Sequence, residues 1–284
     1  MIRHLTDNDM QDALALSTSA GWNQQLDDWR MLRSISAASF GVEKDSRIVG
    51  TAIAIDYGRF GWIAMMLVAP AFRGQGLGAR LLEAALSSLP SDRPVRLDAT
   101  PAGRALYERY GFEDESRLTR FVIPAAPLTS PGGAPATRAL TTVDLPLVSS
   151  EDAAVFRGIR SAVLAWTLQR APNYAWIIEE AAGRPQYVFG RPGRLFDQIG
   201  PVVAADDPSA TALVQSALAS AHGRSVVIDA FESGGAVPAW LRASGFAAER
   251  PLFRMRRSPP GMSRATAPRS LRMTEFAIAG PDFG

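Results

Sequence analysis

Two hydrophobic rhythms alternate along this chain. Residues 7–17 carry Met10, Ala13, Leu14 and Leu16 at helical spacing. Thr6 stands before them as a hydroxyl cap, and Asp7 and Asp9 lie in the first turn. Residues 24–35 predict a second helix. Short apolar runs at 2–5, 39–44, 47–56 and 61–69 read as strands, the last three separated by the turn-like segments KDSR and DYGRFG. A helix follows at 77–89, broken by Pro90–Pro94. Then come a strand at 95–99, a short helix at 103–110 stopped by Gly111, and a strand at 118–123. This order predicts a mixed sheet with helices, an α/β architecture.

Residues 124–137, PAAPLTSPGGAPAT, contain four prolines and two glycines and read as a semi-extended linker. Beyond it the pattern restarts. Arg3, Leu5, Thr6 and Asp9 find counterparts in Arg138, Leu140, Thr141 and Asp144. Leu97-Asp98-Ala99 resembles Ile228-Asp229-Ala230, and Gly111-Phe112 resembles Gly245-Phe246. Matches in one order at nearly one offset imply two copies of one fold, at 1–123 and 138–257. A tail at 258–284 follows, whose end, LRMTEFAIAG, is apolar enough to dock on one of the copies.

Composition narrows the chemistry. The chain has no cysteine, which excludes disulfides, thiolate metal sites and a cysteine acyl-enzyme. With two histidines in all, a metal centre is not expected. The net charge of +2 comes without a Lys/Arg block, so nucleic acid is not an expected partner. No apolar run reaches the ~20 residues of a membrane span, and the polar N-terminus lacks a signal-peptide core. A cytoplasmic protein, monomeric or homodimeric, is the expectation.

One stretch stands apart. Arg73-Gly74-Gln75-Gly76-Leu77-Gly78 puts three glycines where a helix begins. A helix N-terminus offers unpaired N–H groups and partial positive charge, and glycine lets an anion approach them. The spacing fits neither the dinucleotide fingerprint nor a Walker loop. The second copy aligns Pro208–Leu213 at the same offset, behind Asp206-Asp207, without glycines.

Residues 68–78 resemble the acyl-CoA loop of the GCN5-related N-acetyltransferases (GNAT), and Leu106-Tyr107-Glu108-Arg109-Tyr110-Gly111-Phe112 is similar to that family's second signature. The two lie roughly 30 residues apart, as the motif order requires. GWNQ at 21–24 and DATPAGR at 98–104 look like those of a tandem subfamily, so two tandem GNAT folds, the second degenerate, are expected. The resemblance implies acetyl-CoA as cosubstrate. Its pyrophosphate would lie on the amides of Arg73, Gly74, Gln75, Gly76, Leu77, Gly78 and Ala79. Its pantetheine arm would lie along Leu67 and Val68, with Thr100 as a further contact. It implies direct attack by a small-molecule amine, the Val68 N–H facing the developing oxyanion and Tyr107 protonating the leaving thiolate. Trp22 and Asn23 would border the acceptor. The strand at 61–69 holds no carboxylate to serve as base. Asp98 is a candidate, but its recurrence as Asp229 favours a structural role, and a water chain is the other route. A non-catalytic acyl-CoA sensor, and a chain in which both copies bind CoA, remain alternatives.

Overall fold

The computed structural model describes residues 1–126, 135–179, 184–233, 235–261 and 273–284. In the first half the order is β1 (Ile2–His4), α1 (Met10–Ser19), α2 (Leu26–Ile35), β2 (Ala38–Lys44), β3 (Arg47–Asp56), β4 (Gly61–Val68), α3 (Leu77–Ser87), β5 (Val95–Ala99), α4 (Pro101–Arg109) and β6 (Glu113–Ile123). The second half runs β7 (Arg138–Ala139), α5 (Leu145–Val155), α6 (Ser161–Arg170), β8 (Trp176–Ile178), β9 (Gln186–Arg191), β10 (Asp197–Ala204), α7 (Asp207–Ser220), β11 (Val226–Phe231), α8 (Val237–Ala243) and β12 (Ala247–Arg257). The tail adds β13 (Thr274–Ala277). Elements expected in the first half are present, with ends shifted by a few residues. The largest shift is β6, which begins five residues early because Glu113–Arg117 pair with β12 although they lack an apolar face.

Among the described residues the strands form one sheet, ordered β1-β2-β3-β4-β5-β12-β6-β11-β13-β10-β9-β8-β7. Its faces are buried by helices. On β3, Ile53 and Ile55 face the α1–α2 side, while Ala52 and Ala54 face α3, as strand alternation requires. The second half repeats this: Val188 packs toward α7, and Tyr187 and Phe189 pack toward α5 and α6.

The two copies do not close separately. The sequence reading groups 118–123 with the first half, yet β6 stands between β12 and β11, and β12 of the second half pairs with β5. Each half lends its last strand to the other. Two buried ion pairs mark the exchange. Arg254 on β12 lies opposite Asp98 on β5 and donates from Nε and Nη2 at 2.9 Å each. Arg120 on β6 lies opposite Asp229 on β11 and donates twice at 2.8 Å. Both carboxylates are fully buried. Bidentate guanidinium pairing is the geometry that keeps such charges viable in a core. The structural role expected for Asp98 is what it performs.

The linker's described ends are fixed to the second half. Ala126 exchanges backbone hydrogen bonds with Gly223 and Arg224, and the Thr137 hydroxyl meets Ser216 at 2.8 Å. The centre of the expected spacer lies outside the described residues. The tail's apolar end does more than dock on a surface: β13 enters the sheet between β11 and β10, and Ala279 and Phe283 join the first-half core beside Tyr57 and Trp62.

Candidate active site

β4 and β5 begin as a parallel pair, at Gly61–Val95 and Trp62–Arg96, and then separate. The cause is a bulge. The β3–β4 register slips between Thr51 and Ile53, and Met65 takes a positive φ of 53°. The Thr51 hydroxyl donates to the freed Met65 carbonyl at 2.7 Å. A bulge bends its strand and re-aims the residues after it. The gap becomes a cavity of about 130 Å³, walled by Ile63–Met66 of β4, by Leu97, Asp98, Thr100 and Tyr107, and from the other side by Gln198, Arg250 and Leu252 of the second half. Pro281 and Asp282 of the tail complete it.

Leu67 and Val68 end the bulged strand. Ala69 donates to Val49 at 2.8 Å. Antiparallel alternation then turns Leu67 toward β3 and the Val68 N–H away from it, toward the gap. After a short 3-10 turn (Pro70–Phe72), Arg73 folds back and its Nε donates to the Val68 carbonyl at 3.0 Å. Gly74 and Gly76 have φ of +77° and +72°, the left-handed region that favours glycine, and a Cβ on either would face open space. Gly76 is the N-cap of α3, and the first helical bond runs from Arg80 to its carbonyl. Among the described residues the amides of Gly74–Ala79 find no acceptor, whereas the Arg73 amide, expected to join them, donates to the Pro70 carbonyl at 3.2 Å. Gln75 is exposed, whereas Leu77 sends its side chain into the core below. Gly78 lies in the first helical turn, 3.6 Å from Leu106 by its would-be Cβ. The loop therefore presents a bare, cationic-poled backbone surface, suited to a phosphate group.

Pro101 starts α4 two residues ahead of the expected Gly103, at the position where its missing N–H costs nothing. Thr100 becomes the N-cap, accepting from the Gly103 amide at 3.3 Å, so its hydroxyl oxygen is already engaged. Gly103 also lets the Tyr107 ring lie close, 3.2 Å from a would-be Cβ. Tyr107 packs edge-on against Phe112 and points into the cavity wall. Burial pushes its phenol up to about 12, so it is protonated at neutral pH and available as a donor.

Trp22 and Asn23 line the far end. Asn23 spends its side chain as a clip to the second half: Nδ2 donates to the Phe196 carbonyl at 2.9 Å, and Oδ1 accepts from the Leu195 and Phe196 amides at 2.8 and 3.0 Å. Trp22, half-buried, leaves its ring to the wall. The two carboxylates on the wall are both ion-paired, Asp98 with Arg254 and Asp282 with Arg191 at 2.8 Å. Arg191 also holds Asp28 of α2 at 3.0 Å, tying both halves and the tail together. Sequence reasoning missed Arg191, Arg250 and Asp282. Arg250 was findable, because its counterpart in the first copy, Ser116, differs in kind. Asp282 lies in a tail without a counterpart.

The second half keeps the splay and a register slip in β10 between Ile199 and Val202, but it lacks the open gap, the glycine loop and the phenol. β10 and β11 pair in parallel only at Asp197–Val226 and Gln198–Val227, and β13 fills the space where they diverge. Only two residues join β10 to α7, so the counterpart of the α3 cap is Asp206, five residues before the position that a fixed offset suggests. Asp206 accepts from the Ser209 amide at 2.9 Å, and Asp207 from the Ala236 amide at 2.8 Å. The α7 start is thus capped by the chain's own Asp206, while Asp207 serves the entrance of α8. Leu241, fully buried, stands where Tyr107 stands in the first half.

Among the described residues there is no helix long and apolar enough to cross a membrane and no acidic or histidine cluster suited to a metal. Family models described as acetyltransferase (GNAT) domains match residues 36–114 and 148–267. The chain belongs to the GNAT acetyltransferases and carries two of their domains in tandem. A Pyrococcus horikoshii protein assigned as an acetyltransferase has the same fold, with a TM-score of 0.81 at 18% identity over 100% of this chain and 95% of that one. A GCN5-related N-acetyltransferase from Sphaerobacter thermophilus gives 0.64 at 16%, covering 93% and 97%. A tandem GNAT protein from the clavulanic acid biosynthesis pathway gives 0.62 at 15%, covering 93% and 99%. No curated protein matches the sequence.

Proposed function

We propose that the first half transfers an acetyl group from acetyl-CoA to a primary amine of a small molecule, and that the second half is non-catalytic and supplies one wall of the acceptor pocket. The observation that carries this reading is an asymmetry. Unpaired amides at Gly74–Ala79 and a protonated phenol at Tyr107 flank one strand opening, and the other opening has neither.

The residues fit the cosubstrate. The glycine loop has room where Cβ atoms would project, and the α3 N-terminus favours its phosphates. The free edge of Val68 is suited to a strand-like arm. Acetyl-CoA supplies a thioester, an activated acyl group. The Val68 N–H is positioned to stabilise negative charge on the acyl oxygen. Trp22 and the Ile63–Met66 wall exclude water and orient the amine. As the new C–N bond forms and the C–S bond breaks, the Tyr107 O–H delivers its proton to the departing sulfur. The amine's own proton leaves through solvent, since both wall carboxylates are held by arginines.

The experiment is a thiol-release assay with acetyl-CoA over a panel of small amines, run with Tyr107→Phe in parallel. Release that falls in the variant while CoA affinity holds supports transfer. A flat panel with tight CoA binding supports the second reading, a non-catalytic acyl-CoA sensor, which the ion-paired carboxylates favour.

A further inference from the structure

Six titratable side chains line the cavity: Asp98, Tyr107, Arg120, Arg191, Arg250 and Asp282. Four are ion-paired, Asp98 with Arg254, Arg120 with Asp229, and Arg191 with Asp282 and with Asp28, which also lies 3.7 Å from Arg170. Tyr107 is neutral. Arg250 is the remainder. It has no ion pair or hydrogen bond among the described residues, and its Nε is buried without an acceptor. Burial and then the neighbouring Arg120 push its ionisation below the ordinary arginine value, against a weaker opposing pull from Asp229 and Glu249. A cation half-withdrawn from water without a partner is costly, and the usual resolution is a counter-anion.

The fold does not require this arginine. The corresponding position of the first copy is Ser116, and β6 forms its ladder with serine there. Arg250 follows a register slip in the β12–β6 ladder, between Ala248 and Arg250, which turns the strand toward the cavity. A guanidinium offers a planar fork of donors matched to a carboxylate or a phosphate.

We infer that Arg250 is a specificity-determining residue that binds an oxyanion, a carboxylate or phosphate, on the acceptor, so that the preferred substrate is an amine that also carries a negative charge. This rests on the reading of the cavity as the acceptor site of an acetyl transfer. It narrows the acceptor from any small amine to amino acids, phosphorylated amines and their like.

The test uses matched probes: L-phenylalanine against L-phenylalaninamide, and phosphoethanolamine against ethanolamine. Each is titrated into the full chain by calorimetry and assayed for thiol release with acetyl-CoA. The anionic member of at least one pair is expected to bind about 10- to 100-fold more tightly, the range of a charged hydrogen-bonded contact. Which pair responds distinguishes carboxylate from phosphate. Arg250→Gln should bring the ratio close to one, and Arg250→Lys should restore part of it. The melting temperature of Arg250→Gln should equal or exceed that of the wild type, because no ion pair is lost and an uncompensated cation is removed. Equal binding of charged and neutral probes overturns the inference, as does an Arg250→Gln variant that weakens both members alike. If Arg250-dependent binding of anions persists while no amine releases thiol, the anion site stands and the acetyl-transfer reading falls.

Discussion

The β4/β5 opening and the β10/β11 opening are the same structural device put to opposite uses. Both strand pairs start parallel and diverge after two residues. In the first half the divergence leaves a cavity, a bare glycine loop and a free phenol. In the second the chain fills the gap with β13, caps the helix with Asp206 and substitutes Leu241 for the phenol. A splayed sheet edge is a liability unless something pairs with it. One half leaves the edge open, and the other pairs it internally. The fold alone therefore does not make a site. The occupant of the gap does.

The comparison can be broken at several points. The two seam pairs are equivalent by symmetry, so Arg254→Ala and Arg120→Ala should each cost about 3–5 kcal/mol in urea unfolding, by stranding a buried carboxylate. A loss under about 1 kcal/mol for either would show that the seams are not alike. Next, Tyr107→Phe should lower kcat about 100-fold or more with little change in CoA affinity, while Leu241→Ala should alter stability only. Because the Tyr107 phenol is held up near 12, wild-type activity should show no alkaline fall from its ionisation between pH 7 and 9. Such a fall, absent from Tyr107→Phe, would show a phenol less shielded than its burial implies. Gly76→Val forces a β-branched residue to a φ of +72° and projects it into the open space beside the loop, so CoA affinity should weaken about tenfold by calorimetry. The smallest effect is expected from Asp206→Ala: loss of the cap costs about 1 kcal/mol and leaves one CoA site per chain. A second binding event in that variant would mean that the capping carboxylate, rather than β13, is what closes the second half.

Much of the site was legible because it is local. Gly74, Gly76 and Tyr107 lie within short motifs whose backbone demands are carried by those residues themselves. The duplication was legible in the same way, from matching pairs such as Asp98 and Asp229. The strand exchange was not. Arg120 and Arg254 are equivalent residues, so pairing each with its own half's aspartate satisfies the sequence as well as pairing it with the other's. Asn23 lines the cavity, but its clip to Leu195 and Phe196 was not legible because those partners are distant in the chain. The fixed offset misplaced the α7 start because the second copy has lost the loop between strand and helix. Asp282 lies in a tail without a counterpart, and Arg250 differs from its counterpart Ser116, but only the fold brings either one to the cavity.

The exchanged strands also set an order of assembly. As the chain leaves the ribosome, β5 emerges with an unpaired edge, and its neighbour β12 is not translated until residues 247–257. Until then the first half is a sheet without its last partner, and Asp98 is a carboxylate without its arginine. Pro281 and Asp282, which finish the cavity, arrive later still. Such long-range closure is slow relative to local structure. The enclosure around the newborn chain's glycine loop and tyrosine is therefore incomplete until residues 281 and 282 have been made.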